Sequence, residues 1–153
     1  MRRVLRIWPL YFFCVFFGFE IFPILKSYFG QVPNETAHMI SYFTFSSNFD
    51  IIRNGLPDAS ILGVLWSVAI EEQFYFIWPI LLAMIPMKMY KYLFALVIIG
   101  SLIFRAFNNN YMMSEFHTLS CIGDMAVGAF GAYIVQNERW KERIEAFSKL
   151  QII

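Results

Sequence analysis

Residues 61–85 read ILGVLWSVAIEEQFYFIWPILLAMI, an almost wholly apolar run with two adjacent carboxylates, Glu71 and Glu72, near its middle. About 20 apolar residues suffice to cross the hydrocarbon core of a bilayer as a helix, which satisfies its own backbone hydrogen bonds there. A carboxylate at the centre of such a span costs roughly 2.5 to 3.5 kcal/mol on insertion scales, so two together mark a candidate site and not lipid-facing decoration. At about 100° per residue, Glu71 shares a helix face with Ser67, Phe74, Tyr75 and Trp78. Glu72 points toward Val68, Phe76 and Pro79, so the two carboxylates serve different neighbours.

The rest of the chain fits the same solvent. Of its 153 residues 59% are hydrophobic, 20% aromatic and only 15% charged, where a soluble globular chain is about 45 to 50% apolar. The fold class is therefore all-α, a polytopic transmembrane helical bundle of four spans: residues 7–25, with Glu20 as the single charge; 61–85, closed by Pro86; 92–107, with Arg105 near its end; and 116–135, with His117 and Asp124. The arginine-rich start does not read as a signal peptide, because the apolar stretch after it is too long and aromatic and no small-residue cleavage site follows. Residues 30–60 form a polar loop between the first two spans. A net charge of +1 without a basic, aromatic-laced stripe excludes a nucleic-acid partner. Cys14 and Cys121 lie in apolar runs and read as small buried hydrophobes, and no metal-ligand spacing occurs.

Basic residues set the orientation. With the N-terminus inside, Arg2, Arg3, Arg6, Lys88, Lys91, Arg139, Lys141, Arg143 and Lys149 all fall inside, nine of the 12 Lys and Arg residues, against Lys26, Arg53 and Arg105 outside. Inner loops are the ones enriched in Lys and Arg. Both termini are thus expected in the cytoplasm and residues 30–60 outside, and residues 137–153, of alternating charge up to Lys149, read as a cytoplasmic charged tail.

Three chemical features stand out. Arg2, Arg3 and Arg6 crowd one sector of a helix N-terminus; they orient the span and meet headgroups, or clamp a phosphate, which guanidinium groups bind bidentately. Glu71 and Glu72 suit a base, an ion pair that locks helices, or a transporter-like carboxylate pathway with Asp124. Ser120, Asp124, Gly128, Gly131 and Ala132 fall on one stripe that suits close helix packing, with Asp124 in need of a partner inside the bundle. Trp66, Tyr75 and Trp78 suit packing or a substrate platform, His117 an interface position, and the Asn34-Glu35-Thr36 sequon a chance match.

RRVLRIWPLYF at the start, LWSVAIEEQFYFIWP and HTLSCIGDMAVGAFGAY resemble, in order and spacing, three stretches of the acyltransferase family 3 membrane proteins. Trp66, Ser67, Glu71, Glu72, Gln73, Tyr75 and Pro79 match together within one helix, and the similarity covers nearly all of residues 1–136. The resemblance implies a partial transmembrane domain of that family over residues 1–136, in a bacterial inner (plasma) membrane. Its activity is transfer of an acyl group, acetyl above all, from acyl-CoA to a hydroxyl of a sugar or surface glycan, with no bound cofactor and with membrane lipid as a further partner. Glu71 and Glu72 are then the catalytic candidates. Arg2, Arg3 and Arg6 would hold CoA phosphates at the inner mouth, and Ser67, Tyr75, Trp66 and Asp124 would contact the acceptor. The family carries an additional helix upstream of the Arg-Arg motif, with an Arg and the usual catalytic His, and further helices after the glycine-rich one. The chain thus reads as the middle of an enzyme whose partners include the missing helices, and neither His38 nor His117 replaces that His by position.

Overall fold

The chain is all-α among its described residues, which in this computed structural model are 2–135, with side chains from residue 4 onward. The tail of residues 137–153 lies outside them, as do the side chains of Arg2 and Arg3. Four helical stretches are long and apolar enough to cross a membrane: Val4–Tyr28, Ser60–Met84, Met87–Phe107 and Tyr111–Val135. The chain is an integral membrane protein.

The first stretch begins as α1 (Arg2–Phe16), widens into a π turn (Phe17–Ile21) and resumes as α2 (Phe22–Tyr28). Pro23 has no N–H for the carbonyl of Phe19, and the ladder shifts so that the Phe22 N–H meets the Phe17 carbonyl. Gly18, in the same turn, lies against Leu62, where an added Cβ would stand 2.5 Å from the Leu62 Cγ.

Residues 30–60, expected as a loop, fold into a cap containing α3 (Met39–Phe43) and α4 (Ser47–Asn54) and leading into α5 (Ser60–Gly63). Carboxylates organise it. The backbone N–H groups of Thr36, Ala37, Asp58 and Ala59 all donate to Glu35 at 3.1 Å. Asp50 accepts from the His38 N–H at 2.8 Å and from Asn54 Nδ2 at 2.8 Å, with His38 Nδ1 3.0 Å away. Lys26 Nζ donates to both oxygens of Asp58 at 2.6 Å and ties the cap to α2. Gly55 ends α4 with φ +86° and ψ −175°, a conformation open essentially to glycine.

Next come α6 (Leu65–Met84), stopped before Pro86, and α7 (Tyr90–Phe107), entered through a 3₁₀ turn at Met87–Met89. The fourth stretch breaks at His117 into α8 (Tyr111–Phe116), whose N-cap Asn110 accepts from the Met112 N–H, and α9 (Thr118–Val135). His117 is packed between the rings of Phe49 and Phe104. α7 and α9 run antiparallel, with the Ser101 hydroxyl donating to the Ser120 carbonyl at 2.7 Å. The glycine that permits this approach is Gly123, where a Cβ would stand 2.7 Å from the Ser101 Cβ. Gly128 and Gly131, expected to serve close packing, have open space at the Cβ position.

Two cores result. Tyr11, Val15, Tyr42, Ala59, Leu62 and Leu65 bind α1 to the cap, and Phe74, Trp78, Phe94 and Ala126 bind α6 to the α7–α9 hairpin. Lipid tails are as apolar as these side chains, so fit and polar ties hold the helices together more than removal of apolar surface from water. Pairings along the helices fix direction: Lys26 with Asp58, Gly18 with Leu62 and Tyr11 with Leu65 make α1 antiparallel to α6. Trp66 with Phe116, and Trp78 with Ala126, make α6 parallel to α9.

The positive-inside count, combined with this cap, predicts a labelling pattern. In a background lacking Cys14 and Cys121, Gln31→Cys, on the exposed cap, reacts with an impermeant thiol reagent in intact cells. Ser47→Cys stays silent because Ser47 is fully buried, and Lys88→Cys reacts only after permeabilisation. Reaction at position 88 and not at 31 in intact cells reverses the topology.

The Lys26 hydrogen bonds, aided by the Asn34 N–H, hold the Asp58 carboxyl below its ordinary 3.8. A carboxylate with a depressed folded-state pKa stabilises the fold fully above its unfolded value and loses that contribution as pH falls through the folded value. The cap should therefore loosen only below pH 3.8, read as faster amide exchange at Asn34, and Asp58→Asn should remove that acid step.

Candidate active site

Glu71 and Glu72 lie half-buried two turns into α6, and both, like Tyr75, are engaged in interactions. The helix face expected to group Glu71 with Ser67, Tyr75 and Trp78 divides in the structure. Trp78 stacks on Phe74 with ring centroids 4.7 Å apart and on Phe94 at 5.7 Å, within the α6–α7–α9 core, and is a packing residue. The Ser67 hydroxyl donates to the Val64 carbonyl at 3.1 Å, while Tyr75 is exposed.

Arg6 lines a groove of about 390 Å³ with Leu10, Tyr11 and Cys14 on one wall and Val64, Leu65 and Val68 on the other. This is the beginning of α6, and Val68 is about 24 Å along the helix axis from Met84 at 1.5 Å per residue. The arginine end of α1 therefore runs beside the first turns of α6. Because α1 and α6 are antiparallel, the next turn back along α1 holds Arg2 and Arg3, and the next turn down α6 holds Glu71 and Glu72.

Trp66 and Asp124, widely separated in sequence, come together. With Arg105, Ser114, Glu115 and Cys121 they line a cavity of about 390 Å³. The Trp66 indole meets Phe116 edge-on at 4.9 Å. Arg105, near the end of α7, crosses to α9: Nε donates to Ser120 Oγ at 3.0 Å and Nη2 to Asp124 Oδ2 at 2.9 Å. Asp124 thus has the partner it needed, yet its side chain is 75% exposed toward the cavity and its surroundings. An indole face, a guanidinium and two carboxylates in one recess suit a polyhydroxylated ligand, offering both donors and acceptors. Cys121 donates to the Glu115 carbonyl at 3.2 Å and is a free thiol, as is Cys14. No group of three or more metal-ligating side chains occurs among the described residues.

One further polar feature was not read from the residues. Asn48, Gln73 and Thr118 form a closed ring: Gln73 Nε2 donates to Asn48 Oδ1 at 2.9 Å, Asn48 Nδ2 to Thr118 Oγ1 at 3.0 Å, and Thr118 Oγ1 to Gln73 Oε1 at 2.6 Å. The remaining amide hydrogens go to backbone carbonyls, Gln73 Nε2 to Phe45 at 2.7 Å and Asn48 Nδ2 to Phe116 at 3.1 Å. Every donor is used, and the directions fix both amide orientations. Phe45 presents its carbonyl from a left-handed conformation, φ +52°, held by the rings of Trp8, Tyr11 and Phe12. For an L-residue that costs roughly 1 to 2 kcal/mol. The sequence signal was slight: a polar Ser-Ser-Asn inside an aromatic stretch.

No protein-family profile, curated protein or solved structure matches the chain.

The Arg105 bridge predicts a specific rescue. Arg105→Ala leaves Asp124 without its cation and should lower stability in detergent by up to about 1 kcal/mol, the scale of an ion pair whose carboxylate is largely exposed. Adding Asp124→Asn should recover part of that loss, as measured by thermal unfolding. Equal stability of the single variant and the parent would mean that the bridge contributes nothing.

Proposed function

We propose that the protein is part of a membrane O-acyltransferase that moves an acyl group, acetyl by the resemblance, from acyl-CoA to a hydroxyl of a sugar or surface glycan. The setting proposed is a bacterial inner membrane, with both termini cytoplasmic. The observation that carries this reading is the arrangement around α6. One helix holds the matched motif with Glu71 and Glu72, and its first turn contributes Trp66 to the recess shared with Arg105, Glu115 and Asp124.

The chemistry needs three things: a place for the acceptor, a base for its hydroxyl proton, and positive charge for the oxygen that becomes anionic. In this reading the Trp66 indole lies against one face of an extended acceptor, and the reacting hydroxyl reaches Glu71, which lies about 140° around α6 from Trp66 at 100° per residue. A carboxylate of α6, Glu71, takes the hydroxyl proton as the oxygen attacks the thioester carbonyl. The tetrahedral intermediate collapses, the carbon–sulfur bond breaks, and CoA leaves as the thiolate. The arginines of α1 supply cationic groups for the phosphates of CoA, with Arg6 lining a groove against the first turns of α6.

The test is acyl transfer from labelled acetyl-CoA in membranes carrying the whole protein. Glu71→Gln keeps volume but accepts no proton at neutral pH, and should cost on the order of 10²- to 10⁴-fold in rate with normal insertion. Glu72→Gln should cost less. Full activity in Glu71→Gln would remove the base from the scheme. Absence of acyl transfer in the parent, together with carboxylate-dependent proton flux, would favour a transport module instead.

A further inference from the structure

The ring of Asn48, Gln73 and Thr118 joins three elements that the chain brings together from far apart: α4 of the cap, α6 and the start of α9. Asn48 is fully buried, and its two amide hydrogens and its oxygen are all engaged. Gln73 directly follows Glu72. A helix is rigid over one turn, so fixing Gln73 fixes Glu72 about 100° and Glu71 about 200° around the same axis. The other anchor of the ring is the Phe116 carbonyl, and the Phe116 ring is the one that Trp66 meets. The ring is thereby attached to both halves of the candidate site, the carboxylate turn of α6 and the aromatic wall of the recess. The strained Phe45 peptide, whose carbonyl accepts from Gln73, is a further cost borne at the same point.

We propose that Asn48, Gln73 and Thr118 are positioning residues for acyl transfer: their ring sets the rotation of α6 so that Glu71 faces the reacting groups while the Trp66–Phe116 wall is held in place. This rests on the acyltransferase reading of α6. None of the three touches substrate in this scheme; they act through the carboxylates and the indole. A displacement near 1 Å at a reacting group costs up to about 10²-fold in rate, whereas a ring that merely held helices together would change the amount of folded protein and leave the chemistry of each folded molecule alone.

The experiment uses the whole protein in membranes, with activity normalised to inserted protein. Asn48→Gln and Gln73→Asn each break the ring by one methylene in opposite senses, and the double exchange restores the combined length of the two amide side chains. Each single variant is expected to lose about 10- to 100-fold in kcat with the KM for acetyl-CoA unchanged. The double exchange should recover most of that loss, and Thr118→Ser, which keeps the hydroxyl, should behave as the parent. Thr118→Val removes only the hydroxyl at nearly constant shape and should match the amide variants, providing a second route if these fail to insert. Parental kcat in any inserted ring-breaking variant overturns the proposal, as does loss of insertion in all of them, which makes the ring purely structural. Absence of acyl transfer in the parent overturns the acyltransferase reading itself and this proposal with it.

Discussion

A closed hydrogen-bond ring at the junction of three helices is the constraint on which this structure hangs. Among lipid tails apolar surface gains little by moving from lipid onto protein, so two apolar helices can slide and rotate at low cost. An amide buried there has no water to fall back on, and its hydrogen bonds define one rotation and one height. Asn48, Gln73 and Thr118 satisfy one another and two backbone carbonyls, and so define both for α4, α6 and α9 at once. The Ser101–Ser120 contact and the Arg105 bridge do the same for α7 against α9.

This division of labour explains why α6 is central. The molecule has two packed cores, one of α1 with the cap and one of α6 with the α7–α9 hairpin. α6 belongs to both, since Leu65 packs into the first and Phe74 and Trp78 into the second. Glu71, Glu72 and Gln73 fall between those anchors, half-buried beside the fully buried Ala69 and Ile70.

The spans were legible in the sequence because hydropathy over a run of residues is a property that no tertiary contact can overrule in a bilayer. Glu71 and Glu72 were legible for the same reason, as exceptions within such a run. The cap was not, because Glu35 and Asp50 look like ordinary loop acids until their backbone donors are known, and those donors lie up to 24 residues away in Ala59. Trp78 was ambiguous on its helix face, and only the approach of Phe94 makes it a packing residue. Gly123, which has no privileged place in the small-residue stripe, became the close-contact glycine because Ser101 lies opposite it. In each case the missing information was a partner that only the folded chain brings near, which one-dimensional periodicity does not carry.

The charges follow a single rule once the helices are set. An intramembrane charge is tolerated where a group of opposite sign stands at the same height, and the antiparallel and parallel pairings decide which heights coincide. α7 against α9 brings Arg105 level with Asp124. α2 against the cap brings Lys26 level with Asp58. α1 against α6 brings Arg6 beside Val68, one turn before Glu71 and Glu72. The Arg6 groove and the carboxylate turn of α6, far apart in the sequence, thereby belong to neighbouring turns of the bundle, so a substitution at Arg6 acts beside the helix that carries the carboxylates.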